Sequence, residues 1–201
     1  MLIPGTPRFF GSLMRKMSFL KHLYHCYFSK PASDRVLYRS VAQFEVNSIV
    51  EVGISSIERT ARMLELVHRY TEQPVQYTGI DLFESEVRGS NKIGLKVAHV
   101  EFKKTGAKVK LMPGDPFSCL SRSANLLSGT DLLIIGKNVD EESMSRSWFY
   151  VPRMLHDDSL VMIESQQGEN VCWEETDYDA MSKRAEQSLE VNPAKSRRLA
   201  A

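Results

Sequence analysis

The sequence predicts an α/β chain: a Rossmann-like, doubly wound parallel sheet with helices ahead of it. Three observations point there. From residue 46 onward, strand-like runs alternate with segments of helical period, through five strands. The runs Leu132-Leu133-Ile134-Ile135 and Leu160-Val161-Met162-Ile163 are continuously apolar, as parallel strands covered on both faces must be. A chain of 201 residues, 42% of them hydrophobic, can also bury a core between helix layers on the two faces of such a sheet.

The N-terminal segment, residues 1–45, reads as helical. Phe10, Leu13, Met14, Met17, Leu20, Tyr24, Tyr27 and Phe28 recur at helical spacing between Phe9 and Phe28, and Lys30-Pro31 ends the run. Ser33 and Asp34 suit the cap of a second helix over Asp34–Phe44. The Rossmann-like domain follows over residues 46–190. Strand Ser48–Val52 leads to a helix at Ile57–Tyr70, and strand Gln76–Asp81 leads through a loop to a helix near Asn91–Thr105. Strand Lys108–Met112 precedes a helix at Pro116–Leu127, and strand Asp131–Ile135 a helix at Glu141–Leu155. Strand Ser159–Glu164 is followed by a loop and a helix near Trp173–Leu189. Residues 191–201 carry no apolar face and are predicted to be disordered.

Ligands of such sheets bind beyond the carboxyl ends of the strands, where strand order reverses, so function is expected in the loops there. After the first strand, Gly53 allows a close turn, and Ser55 and Ser56 suit the cap of the next helix. Glu51 stands two residues earlier. Asp81 ends the second strand, where a carboxylate offers two acceptor oxygens to a ribose. Gly114 turns the chain after the third strand, and Asp115 before Pro116 is either a helix cap or an acceptor for an adenine amine. Gly136, Lys137 and Asn138 follow the fourth strand, and Glu164, Ser165 and Gln166 the fifth.

Together these stretches resemble the class I S-adenosylmethionine-dependent methyltransferases. "IVEVG", "YTGIDLFE", "VKLMPGDP", "TDLLIIGKNVD" and "DSLVMIES" look like their five successive strand-end motifs, over about Asp34–Ser165. The resemblance implies strand order 3-2-1-4-5 with an abbreviated C-terminal edge, and S-adenosyl-L-methionine as cofactor. It places Asp81 on the ribose and Asp115 near the adenine. Glu51, Gly53, Ser55, Leu82, Gly114 and Gly136 complete the expected cofactor-binding set. Lys137, Asn138 and Glu164 are the candidates for acceptor orientation or proton removal. The glycine-rich loop is reduced to Gly53, with Ser55 and Glu58 where further glycines often occur. Where cation-dependent members carry an aspartate ligand, Gly136 and Lys137 stand, so a metal-independent transfer is expected. The alternative is a non-catalytic scaffold of the same fold, acting in binding or assembly.

The remaining features narrow the classes. A net charge of +1 gives no global field for nucleic acid or membrane, so a small-molecule acceptor is expected. The charge is uneven, however: residues 1–32 hold Arg8, Arg15, Lys16, Lys21 and Lys30 and no acid. That basic, amphipathic segment suits covering the sheet, pairing two subunits as a homodimer, or lying on an anionic membrane. "HLYHC" sets His22, His25 and Cys26 within one helical turn, but no further ligand run accompanies them. "SRSWFYVPRM" reads as core at helical spacing more than as a base-stacking surface. Three scattered cysteines indicate reduced thiols and a cytoplasmic setting, and no apolar run reaches bilayer length. There is no Ser-His-Asp order, no phosphate-binding P-loop and no NAD-type GxGxxG.

Overall fold

The computed structural model describes residues 18–71, 73–83, 93–168 and 170–190. The sheet strands are β1 (Ser48–Val52), β2 (Gln76–Asp81), β3 (Lys108–Pro113), β4 (Leu132–Ile135), β5 (Leu160–Gln167) and β6 (Asn170–Thr176). Their spatial order is β3-β2-β1-β4-β5-β6. The first five are parallel, in the expected order 3-2-1-4-5.

The sixth strand departs from expectation. β5 runs on past Glu164 to Gln167, turns at Gly168 in the left-handed region, and returns antiparallel as β6. Ser165 and Gln166 are therefore paired strand residues, and Trp173 lies opposite Glu164 in the ladder instead of opening a helix. The last helix begins five residues later, at Tyr178. Period-two alternation over "NVCWEET" was hidden because β6 is an edge strand with only partial burial.

Seven helices flank the sheet among the described residues: α1 (Phe19–Tyr27), α2 (Asp34–Val41), α3 (Ile57–Tyr70), α4 (Leu95–Lys104), α5 (Pro116–Ser123), α6 (Glu141–Ser147) and α7 (Tyr178–Glu190). The helix expected over Glu141–Leu155 breaks at Trp148 into a 3-10 segment that contains Pro152, which lacks the N–H an α-helix would need. The segment expected to extend α1 back to Phe9 lies outside the described residues, as does the 191–201 tail.

Strand alternation divides the core into two layers. Ile49, Tyr77, Ile134 and Met162 pack with Leu37, Tyr38, Met63, Leu64 and Phe102 on the face covered by α2, α3 and α4. Val50, Val52, Leu133, Ile135 and Val161 pack with Leu120, Met144, Val151, Met154 and Met181 on the other. Each fully buried large side chain of these layers stabilises the fold by roughly 1.5–3 kcal/mol. No described helix is long and apolar enough to cross a membrane.

Candidate functional site

The carboxyl ends of β1 to β4 surround a cavity of about 1080 Å³. It is lined by Gly53, Ile80 and Gly114, together with Ile54, Phe83, Phe117, Asn138 and Arg146. The volume is at the upper end of ordinary small-molecule sites.

Asp81 joins the two turns on one side of this cavity. Its Oδ2 accepts from the Ile54 N–H and its Oδ1 from the Phe83 N–H, both at 2.8 Å. Phe83 is held at φ +49°, a conformation bulky side chains rarely adopt, and its N–H bond to Asp81 helps fix it. Asp115 caps α5 by accepting from the Ser118 N–H at 3.0 Å, and also accepts from the Ser143 hydroxyl at 3.0 Å. The Ser118 bonds lead in holding its carboxyl below the usual aspartate range. Arg146 stacks over the Phe117 ring at 3.9 Å.

Where the β1 and β4 turns meet, the same rim is tightly packed. Gly53 sits at φ +76°, and a Cβ there would lie 2.3 Å from Val139 Cγ2. A Cβ on Gly136 would lie 1.9 Å from the Gly53 carbonyl oxygen. These two glycines let the β1 and β4 turns pack backbone to backbone. The space beside Gly53 is taken by Val139.

Below the turns lies a buried charge cluster. Arg59 of α3 donates to Glu51 Oε1 at 3.1 Å and to Glu164 Oε2 at 2.8 Å, with all three side chains almost completely buried. Glu51 Oε2 accepts from Thr60 Oγ1 and Tyr77 OH, each at 2.8 Å. Glu164 Oε2 accepts from Ser55 Oγ at 2.6 Å and from the Lys137 N–H at 3.2 Å. The Trp173 ring faces the Arg59 guanidinium at 5.1 Å. Burial pushes the Glu164 carboxyl up, but Arg59 and the Ser55 hydrogen bond outweigh it and hold the group below the usual glutamate range. Asp34, buried at the start of α2, is shifted the other way by its burial, with Glu164 adding to the shift and Arg59 opposing it.

Of the expected cofactor residues, Gly53, Ser55, Asp81, Leu82, Gly114 and Asp115 line the cavity. Glu51 and Gly136 do not. Glu51 shares the face of Ile49, so alternation sends it into the α3 layer. Of the acceptor-side candidates only Asn138 lines the cavity; Glu164 is bound in the cluster, and Lys137 Nζ donates to Gln166 at 3.2 Å. Ser56, not Ser55, caps α3. Sequence reasoning missed Arg59, although its place on the α3 stripe with Met63 and Leu66, both buried, signals an arginine drawn into the core. It also missed Ser143, and it grouped Arg146 with the Trp148 cluster instead of with the cavity. His25 and Cys26 are buried in α1, His22 contacts Tyr70, and no metal-ligating group of three side chains occurs among the described residues.

No family model and no curated protein matches the chain. Solved structures do. An O-methyltransferase from Bacillus cereus in complex with SAH superposes with a TM-score of 0.52 at 13% identity, over 76% of this chain and 68% of that one. A TehB-like SAM-dependent methyltransferase from Corynebacterium glutamicum gives 0.49 at 14% identity, over 83% and 77%. MycE, from the mycinamycin biosynthetic pathway, in complex with Mg and SAH, gives 0.43 at 21% identity over 78% of this chain; the chain spans only 37% of that protein's length. At these identities the likeness concerns the fold.

Proposed function

We propose, from a class I methyltransferase fold, that this chain binds S-adenosylmethionine in the cleft over β1–β4 and transfers its methyl group to a small acceptor without a metal. The observation that carries the reading is the open cavity bounded by Gly53, Asp81 and Asp115. Each Asp81 oxygen accepts one backbone N–H and retains a second acceptor site, as a ribose diol requires. Leu82 and Phe83 would flank the nucleoside, with Gly114 and Asp115 toward its base. The cofactor supplies an activated methyl group on a good leaving group. The chain's part is to orient the acceptor and exclude water. Asn138 is the candidate that reaches the cleft for this. Lys137 and Glu164 act behind it by fixing the β4 and β5 ends. A carboxylate tied to Arg59, Ser55 and the Lys137 N–H is a poor proton acceptor, so Glu164 serves as a positioning residue.

A second reading, a non-catalytic scaffold, is favoured by one observation. Val139 occupies the space beside Gly53, where the methionine end of the cofactor would approach. Titration of the folded protein with S-adenosylhomocysteine separates the two. Binding by the wild type, strengthened in Val139→Ala, supports the cofactor reading. A ligand at one hundred times its Kd adds about 2.7 kcal/mol of stability, so a thermal shift reads the same outcome. Absence of binding by both proteins at millimolar ligand leaves the scaffold.

A further inference from the structure

One buried side chain bridges the loops after β3 and β4. Ser143 lies in the first turn of α6, 28 residues from Asp115 in the chain, and lines the cavity with it. Its hydroxyl donates to Asp115 Oδ1 at 3.0 Å and accepts from the Phe117 N–H at 3.2 Å. Its own N–H donates to Asp140 Oδ2 at 2.7 Å, the cap of α6. A hydrogen-bonded chain thus runs from the β4 turn to the β3 turn, through Asp140, Ser143, Asp115 and the Ser118 N–H. Ser143 is buried, so water competes little for its bond to the carboxylate.

These bonds decide what the β3 side of the cleft presents. Pro116 has no N–H, the Phe117 N–H is taken by Ser143, and the Ser118 N–H is taken by Asp115. The first turn of α5 therefore directs its backbone donors inward. Arg146, one turn further along α6, stacks on the Phe117 ring. Both bonds to Asp115 fall on Oδ1, and a carboxylate accepts at both oxygens, so Oδ2 keeps its acceptor capacity. The Ser118 bonds lead, and Ser143 adds to them, in holding that carboxyl below the usual aspartate range against its burial. An ionised acceptor fixed in one orientation favours a ring with an exocyclic amine. It penalises a ring with a carbonyl at the same place, because two facing acceptors leave each other unpaired.

We infer that Ser143 is a positioning residue, which holds Asp115 so that the cleft distinguishes an amine-bearing purine from its oxo counterpart. The inference rests on the cofactor reading above and adds α6 to the parts that select the ligand.

Calorimetry on the full chain with S-adenosylhomocysteine and its 6-oxo analogue, S-inosylhomocysteine, tests it. The wild type should bind the amine form roughly tenfold or more tightly than the oxo form. Ser143→Ala should lose most of that preference, and Ser143→Thr, which keeps a hydroxyl, should retain it. In Ser143→Ala the acid limb of S-adenosylhomocysteine binding should also move up toward the ordinary aspartate range, a change that lost packing alone does not produce. Should the residue 143 variants disturb folding, Asp115→Asn decides: its amide can donate as well as accept, so the preference should narrow or reverse. The inference alone is overturned if the wild type binds S-adenosylhomocysteine while folded Ser143→Ala keeps both the preference and the acid limb, or Asp115→Asn keeps the preference. If the wild type binds neither ligand, the cofactor reading fails and the inference falls with it.

Discussion

Over β2 and β3 the strand-end surface is open; the β1 and β4 turns also line that cavity, but where they meet each other and β5 they are packed shut. On the open side Asp81 and Asp115 hold their loops with single bonds per partner and face a cavity. On the shut side Gly53 and Gly136 touch backbone to backbone, Val139 packs against Gly53 at the edge of the cavity, and Arg59 clamps two carboxylates beneath. In the proposed binding mode these correspond to the nucleoside half and the methyl-donor half. The difference teaches that the two halves of one crevice can be held by different physics: separable hydrogen bonds at a rim, and a buried network in which one guanidinium ties two carboxylates.

The largest effect should come from breaking the clamp. Arg59→Met leaves Glu51 and Glu164 buried without their cation, and should destabilise the protein by about 3–5 kcal/mol in urea unfolding at pH 7. The pH profile sharpens this. Because Glu164 is held below its ordinary range, its stabilisation is complete at neutral pH and is lost as pH falls below that range and through the depressed folded value. In Arg59→Met that acid-side loss should flatten. An unchanged profile would show that the clamp is not what ties the shut side.

Asp81→Ala tests the open side. With the fold retained, loss of hydrogen bonds to a charged group should cost about 1.5–3 kcal/mol of S-adenosylhomocysteine affinity, or ten- to more than hundredfold, measured by calorimetry. An unchanged affinity would make Asp81 purely a tie between the β1 and β2 turns, and the two sides would then be alike.

The smallest effect concerns Asp34, at the margin of the shut side. Its folded carboxyl is raised by burial, so it holds its proton more firmly than in the unfolded chain. Stability is lost as pH rises from below the ordinary aspartate range through the raised value. Asp34→Asn should therefore raise stability at pH 7 and leave it nearly unchanged at pH 3. Equal shifts at both pH values would mean that packing, not charge, sets the effect.

The parallel half of the sheet was legible because its strands are buried on both faces, so runs such as Leu132–Ile135 announce themselves by composition. The edge was not. β6 shows the solvent Glu174 and Glu175 beside the half-buried Trp173, and a short amphipathic stretch of that kind is ambiguous between strand and helix. Its one clear signal was Gly168, a turn glycine after a run of strand character. The strand-end loops hold most of the expected cavity residues, but Glu51, Gly136, Lys137 and Glu164 do not line it. Period two fixed the direction of Glu51, and that inference was available. That Glu164 would meet Ser55, 109 residues away, was not, since it depends on how β1 and β5 are brought together across β4.

The Arg59 cluster also orders the assembly of the molecule in time. Glu51 is eight residues from Arg59 in the chain, within one strand–turn–helix unit, so that pairing closes a short loop. Glu164 arrives only with the fifth strand, after β4 has docked against β1 and β5 against β4. A chain emerging from its N-terminus therefore satisfies half of the guanidinium early and keeps the other half open for most of its synthesis. Contacts that close late contribute little to the folding transition state and act chiefly on the rate of unfolding. The Arg59–Glu164 bond thus joins distant parts of the chain across the finished sheet, and to the extent that it is absent from the folding transition state it prolongs the native state.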